Sequence, residues 1–302
     1  MKPEGALVAL PTPFEPQGSI NKETLRLMVD FLIERGVDGI FAASTVGEFV
    51  HCLPRQRHEL ISLTVEYADG RIPVLGGATD MSAAKVIEHC KEIRRAGASF
   101  AVIAPPFYYG MGQEDIVAFY GEIADAIEIP FVLYHIPQCS NRMTADTMLH
   151  IVRTCGAVAL KNSNLDVIEM LNLLNGLSGS DVPYLVGPDE LLFTGLVHGA
   201  GGSMSGLTGV LPEAVRRMID AARSGDFGLA RRIQFEFLEL LNLAADLPFP
   251  AFLKLMLSVR GFEMGPPLQA QSMATRRRMD ERRPAILQKI EAIIQMLETA
   301  NN

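Results

Sequence analysis

The sequence has 302 residues, 48% hydrophobic and 21% charged, with a formal net charge of -8 and a pI near 5.3. That length exceeds one minimal core and falls short of three domains, so one large α/β domain with an appendage is expected. The acidic balance leaves a nucleic acid only a local basic patch to grip, no run approaches the roughly 18 uninterrupted apolar residues of a membrane span, and Cys52, Cys90, Cys139 and Cys155 form neither a CxxC pair nor a disulfide scaffold.

In chain order, the opening MKPEGALVALPTPFEP has an apolar run broken by prolines and no small-residue cleavage site, the pattern of a chain that stays in a reducing cytoplasm. Short β-rich apolar runs then alternate with amphipathic stretches every ~25 to 30 residues, as parallel βα units do. Strands are expected at residues 6–11, 39–44, 72–76, 100–104, 131–135, 158–161, 184–187 and 201–205. Helices lie between them. The first, at 22–35, carries Leu25, Met28, Val29, Leu32 and Ile33 at helical spacing, and glycines such as Gly36 and Gly225 follow helices as C-terminal caps. Eight such units fit a closed (βα)8 barrel, an α/β TIM barrel, better than an open sheet whose edges need protection. The run Gly76-Gly77-Ala78-Thr79 lacks the GxGxxG spacing of a dinucleotide fold. After Gly225 the pattern is wholly helical, at about 226–245, 251–259 and 282–298. Residues 1–225 are therefore expected to form the barrel and 226–302 a C-terminal helical domain. The one basic cluster, Arg276, Arg277, Arg278, Arg282 and Arg283, is interrupted by Asp280 and Glu281 and reads as a solvated or subunit-contact face, not a nucleic-acid site.

In a barrel the reacting groups project from the C-terminal ends of the strands, because the βα loops there form the concave face. The sixth strand ends in Lys161. An ammonium after an apolar run loses hydration, which raises the free-amine fraction needed to attack a carbonyl; alternatively Lys161 leaves the barrel end for solvent or pairs with a carboxylate. Tyr134, on the neighbouring fifth strand, is either a proton donor to a lysine adduct or a core aromatic. The turn Ser44-Thr45-Val46-Gly47-Glu48 offers hydroxyls and N–H groups to an anion, or is a plain turn. The loop 105–110 places the phenols of Tyr108 and Tyr109 on a rigid segment, or serves only packing. The histidines are scattered with no ligand pair at helical spacing, so no metal and no cofactor is expected.

Taken together, Ser-Thr-Val-Gly-Glu at 44–48, Pro-Phe-Tyr-Tyr at 106–109, Tyr-His-Ile-Pro at 134–137, Leu-Lys-Asn-Ser at 160–163, Gly-Pro-Asp at 187–189 and Gly-Ala-Gly-Gly-Ser-Met-Ser-Gly at 199–206 resemble the dihydrodipicolinate synthase / N-acetylneuraminate lyase family over essentially the whole chain. The resemblance implies a class I aldolase-type lyase that forms an imine between Lys161 and pyruvate. It implies Tyr134 as general acid/base, Thr45 as relay hydroxyl, and Tyr108 completing the relay in a neighbouring subunit of a homotetramer built as a dimer of dimers. The N–H groups of Thr45 and Val46 would hold the substrate carboxylate, with the main chain at Gly187 and Met204 bordering it.

Two departures matter. Val46 stands where the family usually has a second hydroxyl residue; losing a hydrogen bond to a charged group costs about 1.5 to 3 kcal/mol. Cys139 stands where dihydrodipicolinate synthases carry an arginine for the aldehyde's carboxylate, and Arg142 is the nearby candidate to compensate. The leading expectation is therefore a pyruvate-dependent aldolase acting on a 2-oxo-4-hydroxy acid, such as a 2-keto-3-deoxy sugar acid, with pyruvate and an aldehyde as its small-molecule partners. Alternatives are condensation of pyruvate with aspartate semialdehyde, keto-deoxy acid dehydration, and a non-catalytic oxo-acid sensor.

Overall fold

The computed structural model describes residues 2–299. Eight short strands, β1 (Gly5–Ala9), β2 (Gly39–Ala42), β3 (Val74–Gly77), β4 (Phe100–Ile103), β5 (Phe131–His135), β6 (Ala159–Asn162), β7 (Tyr184–Val186) and β8 (Gly202–Ser205), pair in parallel in chain order and close on themselves, β8 against β1. All are buried along their length, as expected of apolar strands covered on both faces. Three strand ends fall two residues short of the sequence reading, one of them that of β2, which stops at Ala42 because Ala43 turns to a left-handed φ of 54°. β1 stops before Pro11 and β3 starts after Pro73, because proline has no N–H to give to a ladder.

The helices are α1 (Lys22–Glu34), α2 (Pro54–Ala68), α3 (Ala83–Arg95), α4 (Gln113–Ala126), α5 (Ala145–Cys155), α6 (Val167–Leu177), α7 (Leu192–Val197), α8 (Leu207–Val210), α9 (Pro212–Ser224), α10 (Phe227–Leu243), α11 (Ala251–Val259) and α12 (Met273–Thr299). Gly225 ends α9 at φ 86°, a left-handed cap that a side chain would strain. One residue on, Asp226 caps α10 by accepting from Leu229 N–H at 3.0 Å.

The last helix differs most from expectation, beginning at Met273 instead of near 282 and running through Pro284. Its start is fixed by Ser272, whose Oγ accepts from Thr275 N–H at 3.1 Å. Ile286, Ile290, Ile293 and Leu297, spaced one helical face apart, are all buried, and each such side chain contributes about 1.5–3 kcal/mol. That stripe outweighs the single hydrogen bond that Pro284 forfeits. The basic cluster is largely occupied within the chain: Arg277 meets Glu281, Arg282 meets Asp246 and Arg283 meets Ser258. No helix among the described residues is long and apolar enough to cross a membrane.

The C-terminal segments are tied to the turn after β2 by a buried ion pair. Lys254 Nζ lies 2.7 Å from Glu48 Oε1, with the two side chains 4% and 0% exposed, and Leu268 N–H reaches the other oxygen at 2.7 Å. Phe14 N–H adds a bond to Met264 O at 3.1 Å. Removing one partner of such a pair strands the other charge, so Lys254→Met is expected to lower stability by about 3–5 kcal/mol. Denaturant unfolding checks this: Glu48→Gln combined with Lys254→Met is expected to recover part of the loss, and additive losses would show the two groups to be uncoupled.

Candidate active site

Register places Tyr134 directly opposite Lys161 across β5 and β6. Both project into the mouth of the barrel, 4% and 3% exposed. Burial strips the Lys161 ammonium of water and lowers its pKa to about 7, an effect that the Asp189 carboxyl partly offsets. Relative to an ordinary lysine at 10.5, the free-amine fraction at neutral pH rises by about three orders of magnitude. Nζ sits over the Tyr134 ring, 4.1 Å from its centroid, and 5.2 Å from that of Phe41, so two aromatic faces replace solvent around it.

The Tyr134 hydroxyl is pushed up to about 12 by burial, against hydrogen bonds from Ser163 and Thr45 that favour its ionised form. The Ser163 Oγ to Tyr134 Oη distance is 3.4 Å. At neutral pH this phenol holds its proton and is a donor.

Thr45 and Val46 lie in the turn after β2. Ser44 shapes that turn by accepting from Gly47 N–H at 3.0 Å, and Thr12 donates to Gly47 O at 2.9 Å. The left-handed φ of Ala43 and Glu48, 54° and 61°, bends the main chain back on itself. The N–H groups of Thr45 and Val46 have no acceptor among the described residues, which leaves two adjacent donors for an anion.

Across the mouth, Gly187, just after β7, lies so close to the end of β6 that a Cβ would sit 2.1 Å from Ser163 Oγ. Its N–H is used by Asn162 O at 2.9 Å, so its carbonyl is the group left free. Met204, on β8, is fully buried. Asp189 accepts from Ser205 Oγ and, at 3.3 Å, from Leu207 N–H. Burial raises its carboxyl to about 7. Sequence reasoning gave Asp189 no role, although a carboxyl two residues past a strand end is a local signal that could have found it.

These groups enclose a cavity of about 420 Å³ lined by Val46, Tyr134, Cys139, Lys161, Gly187 and Met204, with Asp189 and Glu190 on one lip. Leu241, Phe249, Phe252 and Leu253, from α10 and α11 and their connection, wall the far side. A cleft of similar size, about 440 Å³, lies between the C-terminal ends of α3 and α4, at the opposite end of the barrel from the C-terminal strand ends; its Arg94 is taken up by Glu128.

Three site candidates do not line this cavity within one chain: Thr45, whose side chain meets Tyr134 instead, Tyr108 and Arg142. Tyr108 is 77% exposed and packs edge-on against Tyr109, in an open depression shared with Cys139 and Arg142. Arg142 does not line the main cavity; its guanidinium reaches Glu169 Oε2 at 3.3 Å.

The sequence pattern described as the dihydrodipicolinate synthetase family matches residues 2–288. The 4-hydroxy-tetrahydrodipicolinate synthase of Pelobacter propionicus is 31% identical over 240 residues, 79% of this chain and 82% of that one. Among solved structures, dihydrodipicolinate synthase from Aquifex aeolicus is 26% identical and superposes with a TM-score of 0.87 over 94% of this chain and 97% of its own. The chloride-inhibited dihydrodipicolinate synthase from Acinetobacter baumannii complexed with pyruvate is 25% identical, with a TM-score of 0.89 over 95% and 99%.

Proposed function

The chain belongs to the dihydrodipicolinate synthetase family and is a lyase of the aldolase type; from that premise we propose that Lys161 condenses with pyruvate and that the enzyme cleaves a 2-oxo-4-hydroxy acid, such as a 2-keto-3-deoxy sugar acid. One observation carries the reading: a buried amine whose pKa falls to about 7, packed on the ring of a phenol that keeps its proton.

The chemistry follows from those two groups. Neutral Nζ attacks the ketone carbon, and Tyr134 delivers a proton as the carbinolamine loses water. The resulting iminium draws electrons from the C3–C4 bond, which breaks as the C4 hydroxyl passes its proton to the Tyr134 phenolate left by that step, releasing an aldehyde and leaving an enamine. Tyr134 returns a proton to C3, and hydrolysis frees pyruvate and the lysine. Thr45, hydrogen-bonded to Tyr134, relays the proton, and the free N–H groups of Thr45 and Val46 hold the carboxylate. Tyr108, exposed on a single chain, completes the relay of a neighbouring subunit in a homotetramer. In the C-terminal helical domain proposed from residue 226 onward, α10, α11 and their connection supply the far wall. Four unpaired cysteines suit a reducing compartment such as the cytoplasm.

The lining favours a hydroxylated aldehyde over one bearing a carboxylate. Among the described residues Lys161 is the one basic side chain on the cavity and is consumed by the imine, whereas Glu190 accepts hydrogen bonds from hydroxyls and repels a second anion. Cys139 stands where an arginine would be needed for aspartate semialdehyde, and Arg142 is engaged by Glu169. A panel of 2-keto-3-deoxy acids with coupled pyruvate detection tests this. The expected result is a kcat/KM for the best hydroxylated substrate at least about tenfold above that for condensation with aspartate semialdehyde, a difference of about 1.4 kcal/mol in transition-state binding. Faster condensation would overturn the substrate reading, and a 2-oxo product formed without pyruvate would reassign the enzyme as a dehydratase.

A further inference from the structure

The register pair that follows Tyr134 and Lys161 is His135 and Asn162, and strand alternation turns it away from the cavity, toward α6. There Glu169, in the first turn of α6 and 8% exposed, gathers four donors. Asn162 Nδ2 and Asn164 Nδ2 reach Oε1 at 3.2 and 2.9 Å, Arg142 Nη2 reaches Oε2 at 3.3 Å, and His135 Nδ1 lies 3.3 Å from Oε1. His135 Nε2 accepts from Met143 N–H at 3.3 Å, so the ring proton belongs on Nδ1, between Glu169 and Asn162 Oδ1 at 3.2 Å. Burial holds that imidazole below its ordinary range and hence neutral.

The main chain closes the same knot. Ser163 N–H donates to His135 O at 2.8 Å, and Asn164 N–H donates to Asn162 Oδ1 at 2.9 Å. Ser163, whose hydroxyl meets Tyr134 Oη, is therefore bracketed by two asparagines that one carboxylate holds. Through Arg142 the same carboxylate reaches the loop that carries Cys139.

We propose that Glu169 is a positioning residue of the reaction, holding the ends of β5 and β6 so that the Tyr134 hydroxyl, Ser163 and the Lys161 amine keep the spacing that proton transfer needs. The inference rests on the Schiff-base reading of Lys161 and adds to it a residue that never touches substrate. A misplacement of about 1 Å at reacting groups can cost on the order of 100-fold in rate, whereas substrate binding to main-chain donors elsewhere is spared.

Three variants test it by pyruvate release from the preferred 2-oxo-4-hydroxy acid. Glu169→Ala is expected to lower kcat about thirtyfold or more with KM within about threefold. Glu169→Gln keeps an acceptor oxygen for both asparagines and is expected to return kcat to within about fivefold of wild type. Asn164→Ala removes a single arm at a half-buried position and gives an intermediate loss even if Glu169→Ala does not fold. Equal impairment of the Gln and Ala variants, wild-type kcat in Asn164→Ala, or a loss expressed through KM would overturn the proposal. Borohydride trapping of pyruvate on the wild-type enzyme runs alongside. Failure of the wild type to trap removes the Schiff-base reading itself, whereas trapping with unimpaired variants removes the role of Glu169 alone.

Discussion

Replacing Lys161 by arginine is expected to lower kcat by on the order of 10⁴-fold or more, with the fold retained. Guanidinium keeps a positive charge but does not deprotonate at any pH a protein tolerates, so it can satisfy the local electrostatics and cannot form an imine. The expectation depends on where the amine sits. At the end of β6, 3% exposed and over the Tyr134 ring, Lys161 lacks the water that would hold its proton. The sign follows: its folded pKa is lowered to about 7, so the reactive form grows as pH rises through 7 and the ammonium dominates below it. Wild-type activity is expected to show that acid limb, and the arginine variant's residual activity to lack it. Steady-state pyruvate release across pH measures both, and a variant with turnover within tenfold of wild type would show that the amine is not the nucleophile.

Tyr134→Phe is expected to lower kcat by about 10²–10⁴-fold while imine formation, given time, still occurs. The ring stays, so Lys161 keeps its aromatic cover and its depressed pKa; the hydroxyl that passes protons is lost. Because burial holds the phenol up to about 12, it serves as donor throughout the working pH range, and the acid limb set by Lys161 should persist in the variant. Rapid trapping combined with steady-state rates separates the steps. A kcat loss below threefold would reduce Tyr134 to a packing aromatic.

Much of this architecture was legible residue by residue. Most strands are short apolar runs, with β6 (Ala-Leu-Lys-Asn) and β8 (Gly-Ser-Met-Ser) the exceptions, and closure needed eight strands in a chain of this length. Strand ends were misread where Pro11 and Pro73 interrupt an apolar run without contributing a donor. The start of α12 was missed because its signal is a single Ser272 cap followed by arginines, which read as polar coil until the buried isoleucine stripe appears further on. Strand order placed Lys161 and Tyr134 at neighbouring strand ends, as the register has them, but it left their roles open; those came from the family resemblance.

What remained hidden is non-local. Arg142 reads as a free cation until α6 folds Glu169 against it from 27 positions away. Leu241, Phe249 and Phe252 carry no sign of a cavity wall in their own sequence; they become one when the C-terminal segments fold over the barrel mouth, fastened by Lys254 and Glu48. The same holds for Asp189, whose upward shift comes from the burial its surroundings impose.

The most direct test is borohydride reduction of the wild-type enzyme with pyruvate, followed by peptide mass mapping at several pH values. The account predicts one reduced pyruvyl group per chain, located on Lys161, forming faster as pH climbs through about 7. No adduct, or an adduct on any other lysine, would contradict it.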